Sequence, residues 1–238
     1  MAHLVLVGTV HRDPEGHDRL LSLFHEEHPD CLTLEVSPYA VRYRRKNRGT
    51  LTTRVLDTLH DLDRKTSPRG FQDFLAHPAI RDAIALIDFP FEYMAASVFS
   101  QSRKVPFFCI DRSDYSLEKI SWIEKELITT ENLRTLIDLD PNECSQRTRQ
   151  EYRLASSALH PRGGVIRRHS PDRWEISQRD RHMEKRIRKI LTRLRCHKLM
   201  HIGGWEHLLD HGTHETLFDR LSDLQPRRRL LIHGSPFH

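Results

Sequence analysis

The sequence predicts an α/β protein in which a mainly parallel central sheet is flanked by helices. Three observations predict it. Five short runs rich in Val, Ile, Leu and Phe, at residues 4–8, 31–36, 105–110, 198–203 and 229–233, are each bounded by polar or turn-forming residues, as buried strands are. Helical patterns lie between them, with Leu20, Leu21 and Phe24 after the first run and Met183, Ile187, Ile190, Leu191 and Leu194 before the fourth. The spacing between runs accommodates right-handed crossovers, which join parallel strands through a helix.

The elements follow in chain order. The first run leads into GTVH and the second, CLTLEV, ends at Glu35. Residues 39–74 break the strand–helix rhythm: a basic run of Arg42, Arg44, Arg45, Lys46 and Arg48 precedes a helix-compatible stretch. In residues 91–99, Glu92 shares a helical face with Ala95, Ala96 and Phe99 at i, i+3, i+4 and i+7, so its carboxylate points where the apolar residues point. The third run ends at Asp111. Residues 140–173 are polar and punctuated by Pro141, Pro161, Gly163, Gly164 and Pro171. The two irregular regions are expected to form helical insertions, about 39–90 and 125–175, that cap a cleft at the carboxyl ends of the strands within a single domain spanning 1–238. Arg179 then lies one turn before Met183 and two before Ile187, which turns a guanidinium toward the core. The fourth run leads into GGWEH and the fifth into His233.

Composition narrows the function classes. The 238 residues are enough for a substantial core, concentrated in a few apolar runs because 30% of the chain is charged. The formal net charge of +5 permits anionic partners, but Lys and Arg are nearly matched by Asp and Glu and are spread along the chain. Basic clusters at 42–48 and 162–168 lack the aromatic interleaving of a stacking platform, and no P-loop or dinucleotide fingerprint is present, so nucleic acid is not expected as a partner. The run at 227–229 reads as a solvated approach to an edge strand. Cys31, Cys109, Cys144 and Cys196 have no CxxC spacing and are expected to be reduced and mostly buried. No signal segment and no transmembrane run is read, so a soluble cytoplasmic protein is expected.

The candidate site comes from what ends the strands. His11, Glu35, Asp111, His207 and His233 stand at successive carboxyl ends, where ligands bind in open α/β sheets. Two of these histidines lie in the same pattern, Gly8-x-x-His11 and Gly204-x-x-His207. A glycine there lets the chain turn off the strand or lets a ligand approach the backbone. Two imidazoles with one or two carboxylates suit a divalent metal that keeps a position open for water, and such a metal supports hydrolysis. Glu92 and Arg179 add an inward carboxylate and an inward guanidinium; for Arg179 a buried salt bridge to Glu92, Glu35 or Asp111 and a role in binding are both open. His207, His211 and His214 have ligand-like spacing, but Gly212 and the N-cap candidate Thr213 interrupt their helix.

Taken in order, GTVH, PDCLTLEVSPYAVRY, FEYMAASVFSQSRKVPFFCIDRSD, QRDRHMEKRI and KLMHIGGWEHL resemble the TraB/PrgY/GumN family, related to the Tiki proteins and more loosely to the erythromycin-esterase and ChaN-like fold. The similarity touches most of the chain and is weakest over 39–90 and 125–173. The resemblance implies an α/β fold with a polar cleft and, in the Tiki branch, a metal-dependent peptidase activity. It implies that His11 and His207 are the paired histidines and Glu35 the glutamate of the second strand. It also matches Glu92, the Asp111–Arg112 pair and the Arg179–Asp180 pair to family positions. This chain departs in carrying Trp205 and Glu206 before the second histidine, where relatives often have a small residue.

These readings together predict a metal-dependent hydrolase, peptidase- or esterase-like, acting on a peptide or small-molecule substrate. A divalent ion (Mn, Co or Zn) is expected on His11, His207 and Glu35, with Glu35, Glu92, Asp111 and Arg179 as the catalytic set. The alternative is a non-catalytic protein that uses the same cleft to bind or sequester a small molecule or peptide.

Overall fold

The computed structural model describes residues 3–66, 70–160, 173–210 and 215–232. Along the chain these form β1 (His3–Thr9), α1 (Gly16–Glu27), β2 (Cys31–Leu34), α2 (Pro38–Thr66), α3 (Phe71–Ala76), α4 (Pro78–Ile87), α5 (Phe91–Arg103), β3 (Phe107–Cys109) and α6 (Ser113–Trp122). A π-helical turn (Ile123–Leu127) follows, then α7 (Thr130–Ile137), α8 (Pro141–Leu159), α9 (Arg173–Leu194), β4 (Lys198–Gly204), a 3-10 turn (Trp205–Leu208), α10 (Leu217–Arg220) and β5 (Arg227–Leu230).

The chain divides into two compact units, one of residues Met1–Ser37, Phe91–Arg112 and Arg149–His238, the other of Pro38–Pro90 and Ser113–Thr148. The first holds a five-stranded sheet in the order β3-β2-β4-β1-β5, with every pairing parallel. The expected α/β class, with a parallel sheet flanked by helices, is the observed one. Six consecutive residues of β1 and of β4 are buried, which requires cover on both faces and explains why these strands read as continuous apolar runs. Phe24 of α1 meets Phe99 of α5 at 5.2 Å between ring centroids, and Met183 and Ile187 of α9 are fully buried.

Strand limits differ from the apolar runs at the two sheet edges. Only Phe107–Cys109 pair as β3, because Pro106 has no N–H to donate and serves as an acceptor for Leu32. β5 starts two residues before its apolar run, since Arg227 and Arg229 are drawn to a partner: both donate to the buried carboxylate of Glu27, as does Lys198. The run at 227–229 is thus an ion-paired strand rather than a solvated approach. Arg228 stacks at 4.0 Å over the Phe218 ring. His233 lies outside the described residues.

The helical unit has its own core. Leu51, Val55, Leu59 and Leu62 of α2, spaced at i, i+4, i+8 and i+11, pack with Phe74, Ile80, Ile87, Leu127, Ile128 and Leu133. Part of the basic run at 42–48 is spent within this unit: Arg44 donates to the carbonyls of Leu86 and Asp88, and Arg48 to the Asp88 carboxylate at 2.8 Å. These cations close the carbonyl end of α4. From Arg149 onward α8 belongs to the sheet unit; the segment holding Pro161, Gly163, Gly164, Pro171 and the basic cluster 162–168 lies outside the described residues. Cys31, Cys144 and Cys196 are buried, Cys109 is half-buried, and all four are free thiols. Among the described residues no single helix is long and apolar enough to cross a membrane.

Burial pushes the Glu27 carboxyl up, but hydrogen bonds from Lys198, Arg229 and Arg227 outweigh it and hold it at about 2. A carboxyl lower in the folded than in the unfolded chain stabilises the fold above its unfolded value, and that contribution is lost as pH falls toward 2. Glu27→Gln is therefore expected to lower stability at neutral pH by about 2 kcal/mol and to flatten the loss of stability below about pH 4.5, read from denaturant melts across pH.

Candidate functional site

Glu35 is the centre of the site. It follows the last residue of β2, where its N–H still pairs with the Ile202 carbonyl of β4 at 2.9 Å, so its side chain leaves the sheet at a defined place. The side chain is only 4% exposed. Oε2 accepts the Gly204 N–H at 2.6 Å, and Oε1 accepts from Arg179 and lies 3.1 Å from Nε2 of His207. Nε2 of His11 lies 4.0 Å from Oε2.

Each Gly-x-x-His imidazole is held from behind. His11 uses Nδ1 to donate to Glu92 at 3.0 Å, and Thr9 donates to the same Glu92 oxygen at 2.9 Å. His207 binds Asp180 through Nδ1. Both Nε2 atoms are thereby turned toward Glu35. The two histidines differ in access: the His11 side chain is 54% exposed and that of His207 is 5% exposed, so the site opens on the His11 side. Burial disfavours charge on His207, yet Asp180 and Glu35 outweigh it and hold the imidazole well above its usual value. Burial likewise opposes ionisation of Glu35, and His207, Arg179 and His11 overcome it, holding the carboxyl well below the usual range. Burial pushes Asp180 up, so the shifts on Asp180 and His207 both favour a proton held between them.

Arg179 faces inward from α9. It donates from Nε to Asp111 Oδ1 at 3.1 Å and from Nη2 to Asp111 Oδ2 at 2.8 Å, and Nη2 also reaches Glu35. Of the two readings left open for Arg179, the buried salt bridge to Glu35 and Asp111 is present. His11, Glu35, Glu92, Asp111, Arg179 and His207 thus come together in the sheet unit, from four strand ends and two helices. His211 and His214 lie outside the described residues.

Glycine at two positions is a packing requirement. A Cβ on Gly8 would stand 3.0 Å from the Trp205 backbone, so the first motif glycine admits the turn that carries the second histidine. A Cβ on Gly203 would stand 2.8 Å from Glu35 Oε2 and 3.2 Å from His201 Nε2. Trp205, which precedes His207 by two residues, is buried, packed beside β1.

Two contributors, His201 and Asp13, were not read from the sequence, and Asp180 was reached only through the resemblance. His201, fully buried in β4, shares a 3.0 Å hydrogen bond between Nδ1 and Thr33 Oγ1, and its Nε2 has no partner among the described residues. Burial pushes its imidazole down to about 3, so it is neutral. Asp180 is fully buried and fixes the orientation of the His207 ring through Nδ1. Asp13 holds the loop after His11: it accepts from the Glu15 N–H at 3.0 Å, from Arg19 at 2.9 Å and from the Tyr152 hydroxyl at 2.9 Å. That loop includes Arg12 at φ 69°, a left-handed conformation costing on the order of 1 kcal/mol for a residue with a Cβ. For His201 the signal lay in the pairing of strands, Thr33 opposite His201, which sequence does not reveal.

The chain matches no protein-family model, no curated protein and no solved structure.

Because Glu35 is pinned on both oxygens, it cannot swing away from a methyl group on residue 203. Gly203→Ala is expected to cost about 2 kcal/mol and to displace the Glu35 carboxylate from the Gly204 N–H. Denaturant melts together with a crystal structure of the variant check this; wild-type stability with Glu35 in place would show that the pocket has slack.

Proposed function

We propose that the crevice formed by His11, Glu35 and His207 is the active site of a metal-dependent hydrolase, peptidase- or esterase-like, as the resemblance to the TraB/PrgY/GumN family implies. The observation that supports this reading is the common orientation of two imidazoles. Both Nε2 atoms face one carboxylate, at 3.1 Å and 4.0 Å, while both Nδ1 atoms are tied to other carboxylates. Outer carboxylates of this kind orient histidine ligands and raise their basicity.

The donor set fits a divalent ion such as Mn, Co or Zn provided the ion displaces the proton that Asp180 and Glu35 favour on His207: two imidazole nitrogens and an ionised carboxylate, with the accessible side at His11. The contacts among them are ion-pair contacts, and no three such side chains already form a metal group among the described residues. His11, His207 and Glu35 are the residues that would hold the ion, which would act as a Lewis acid and lower the pKa of a bound water. Glu92 and Asp180 keep Nε2 of each histidine directed at the crevice. The depressed carboxyl of Glu35 keeps it ionised, as a ligand must be. Asp111 holds Arg179 by two hydrogen bonds, and the fixed guanidinium beside Glu35 stabilises negative charge developing on a substrate carbonyl oxygen.

A second reading has one observation in its favour. Both oxygens of Glu35 are satisfied inside the protein, by Arg179, His207 and the Gly204 N–H, so the network is complete without an ion. Such a cleft would bind or sequester a peptide or small molecule without turnover.

Elemental analysis after incubation with Mn, Co and Zn separates the two. The hydrolase reading expects one equivalent of metal in the wild type, its loss in His11→Ala and His207→Ala, and metal affinity reduced about 10-fold or more in Glu92→Gln. It further expects Glu35→Gln to abolish turnover on peptide or ester substrates. A folded wild type that takes up no metal and turns over none of these substrates would leave the binding reading.

A further inference from the structure

We propose that the solvent face of α9 is a binding surface for single-stranded nucleic acid. The helix carries eight Arg and Lys against three Asp and Glu, an excess equal to the +5 of the whole chain. The remainder of the protein is balanced, so the basic character that seemed spread along the sequence is concentrated in one element.

Within α9 the cations are sorted by face. Met183, Ile187 and Ile190 are buried against the sheet unit, and Arg179 and Asp180 point the same way into the site. Arg181, Lys185, Arg186, Lys189 and Arg193 are all exposed. Arg181, Lys185, Lys189 and Arg193 recur every four residues, which sets them about 6 Å apart along a row of about 18 Å. The acidic residues of the helix do not interrupt that row: Glu175 lies in the first turn, six residues before Arg181, Asp180 is buried on His207, and Glu184 is paired with Arg188. None of the five exposed cations has a side-chain hydrogen bond or ion pair with a described residue, whereas Arg188, outside this set, is held by Glu184 and Asp223. Complementing the helix dipole accounts for basic residues in the last turns but not for Arg181 and Lys185 nearer the middle.

Trp174 supplies the second element. It is 74% exposed at the start of the same helix and, at i, i+7 and i+11, shares a face with Arg181 and Lys185. An exposed indole ahead of a row of cations is the combination that tracks a single strand, with one base stacked on the ring and successive phosphates on the row. A duplex keeps its base faces internal and would leave the indole unused. A bilayer is the poorer partner because the apolar side of α9 is already packed on the sheet unit, so no apolar face remains to enter the lipid.

The test is fluorescence anisotropy of a labelled RNA of about 16 nucleotides, titrated with the full-length protein over a range of salt. Binding with a steep salt dependence is expected. Replacing Arg181, Lys185 and Lys189 together by Gln should reduce the slope of log affinity against log salt by about 2, at about 0.7 per phosphate, with melting unchanged because all three are exposed. Trp174→Ala should weaken binding about tenfold and leave the slope intact, since stacking releases no counterions. No anisotropy change at low salt overturns the proposal, as does an unchanged slope in the triple variant. Preferential binding to phosphatidylserine vesicles over RNA would overturn it too, assigning the face to a membrane surface.

Discussion

The sheet unit depends on keeping one carboxylate, Glu35, ionised and buried at the mouth of a parallel sheet. An isolated buried charge costs several kcal/mol, so the surroundings must supply compensating charge and donors in fixed positions. They come from four places: the Arg179 guanidinium from α9, the His207 imidazole from the turn after β4, the Gly204 N–H at the end of β4, and His11 from the loop after β1. Each of these is itself held by a carboxylate or by the sheet. Asp111, Asp180 and Glu92 are therefore consequences of Glu35, since a cation brought in to satisfy one buried acid has to be oriented by another.

The strand order makes this convergence possible. With β4 between β2 and β1, the ends of three strands distant in sequence stand side by side, and the two Gly-x-x-His motifs become neighbours. The register places Gly8 opposite Gly203 and Thr9 opposite Gly204, so the two motif glycines stand one residue apart in register. Close approach then demands glycine. The turn carrying His207 passes over Gly8, and Glu35 lies over Gly203, so a methyl group at 203 would have to displace the carboxylate and one at 8 would press on the Trp205 backbone.

Much of this was legible because buried parallel strands announce themselves as apolar runs, and the first polar residue after such a run has to sit at the strand's carboxyl end. Asp111 follows from that rule and Glu35 from its place at the end of a run, His11 and His207 needed the repeated Gly-x-x-His pattern as well, and Glu92 and Arg179 come from helical periodicity. What escaped detection is what periodicity hides. His201 sits inside an apolar run, and its relation to Thr33 depends on which strands pair. Asp13 reads as one more polar loop residue, although its buried carboxylate gathers a backbone N–H, an arginine and a tyrosine from α8. The edges of the sheet were also misjudged. β5 owes its first residues to ion pairs with Glu27 rather than to hydrophobicity, and no apolar pattern marks that.

Helix α9 shows how far one element can be divided by its faces. Residues 179 and 180 point into the site, Met183, Ile187 and Ile190 seal the sheet, and the opposite side collects the chain's excess positive charge. The inner face tolerates no exchange, because Arg179 and Asp180 each satisfy a buried partner. The outer face is free of that constraint: nothing in the fold of the sheet unit requires five cations there, and neutral residues of good helix propensity would serve the helix as well. Like charges spaced one turn apart repel, so the row slightly destabilises the helix that bears it. A feature that costs stability, has no partner among the described residues and accounts for the net charge of the entire chain is explained more simply by a polyanion outside the protein than by the packing within it.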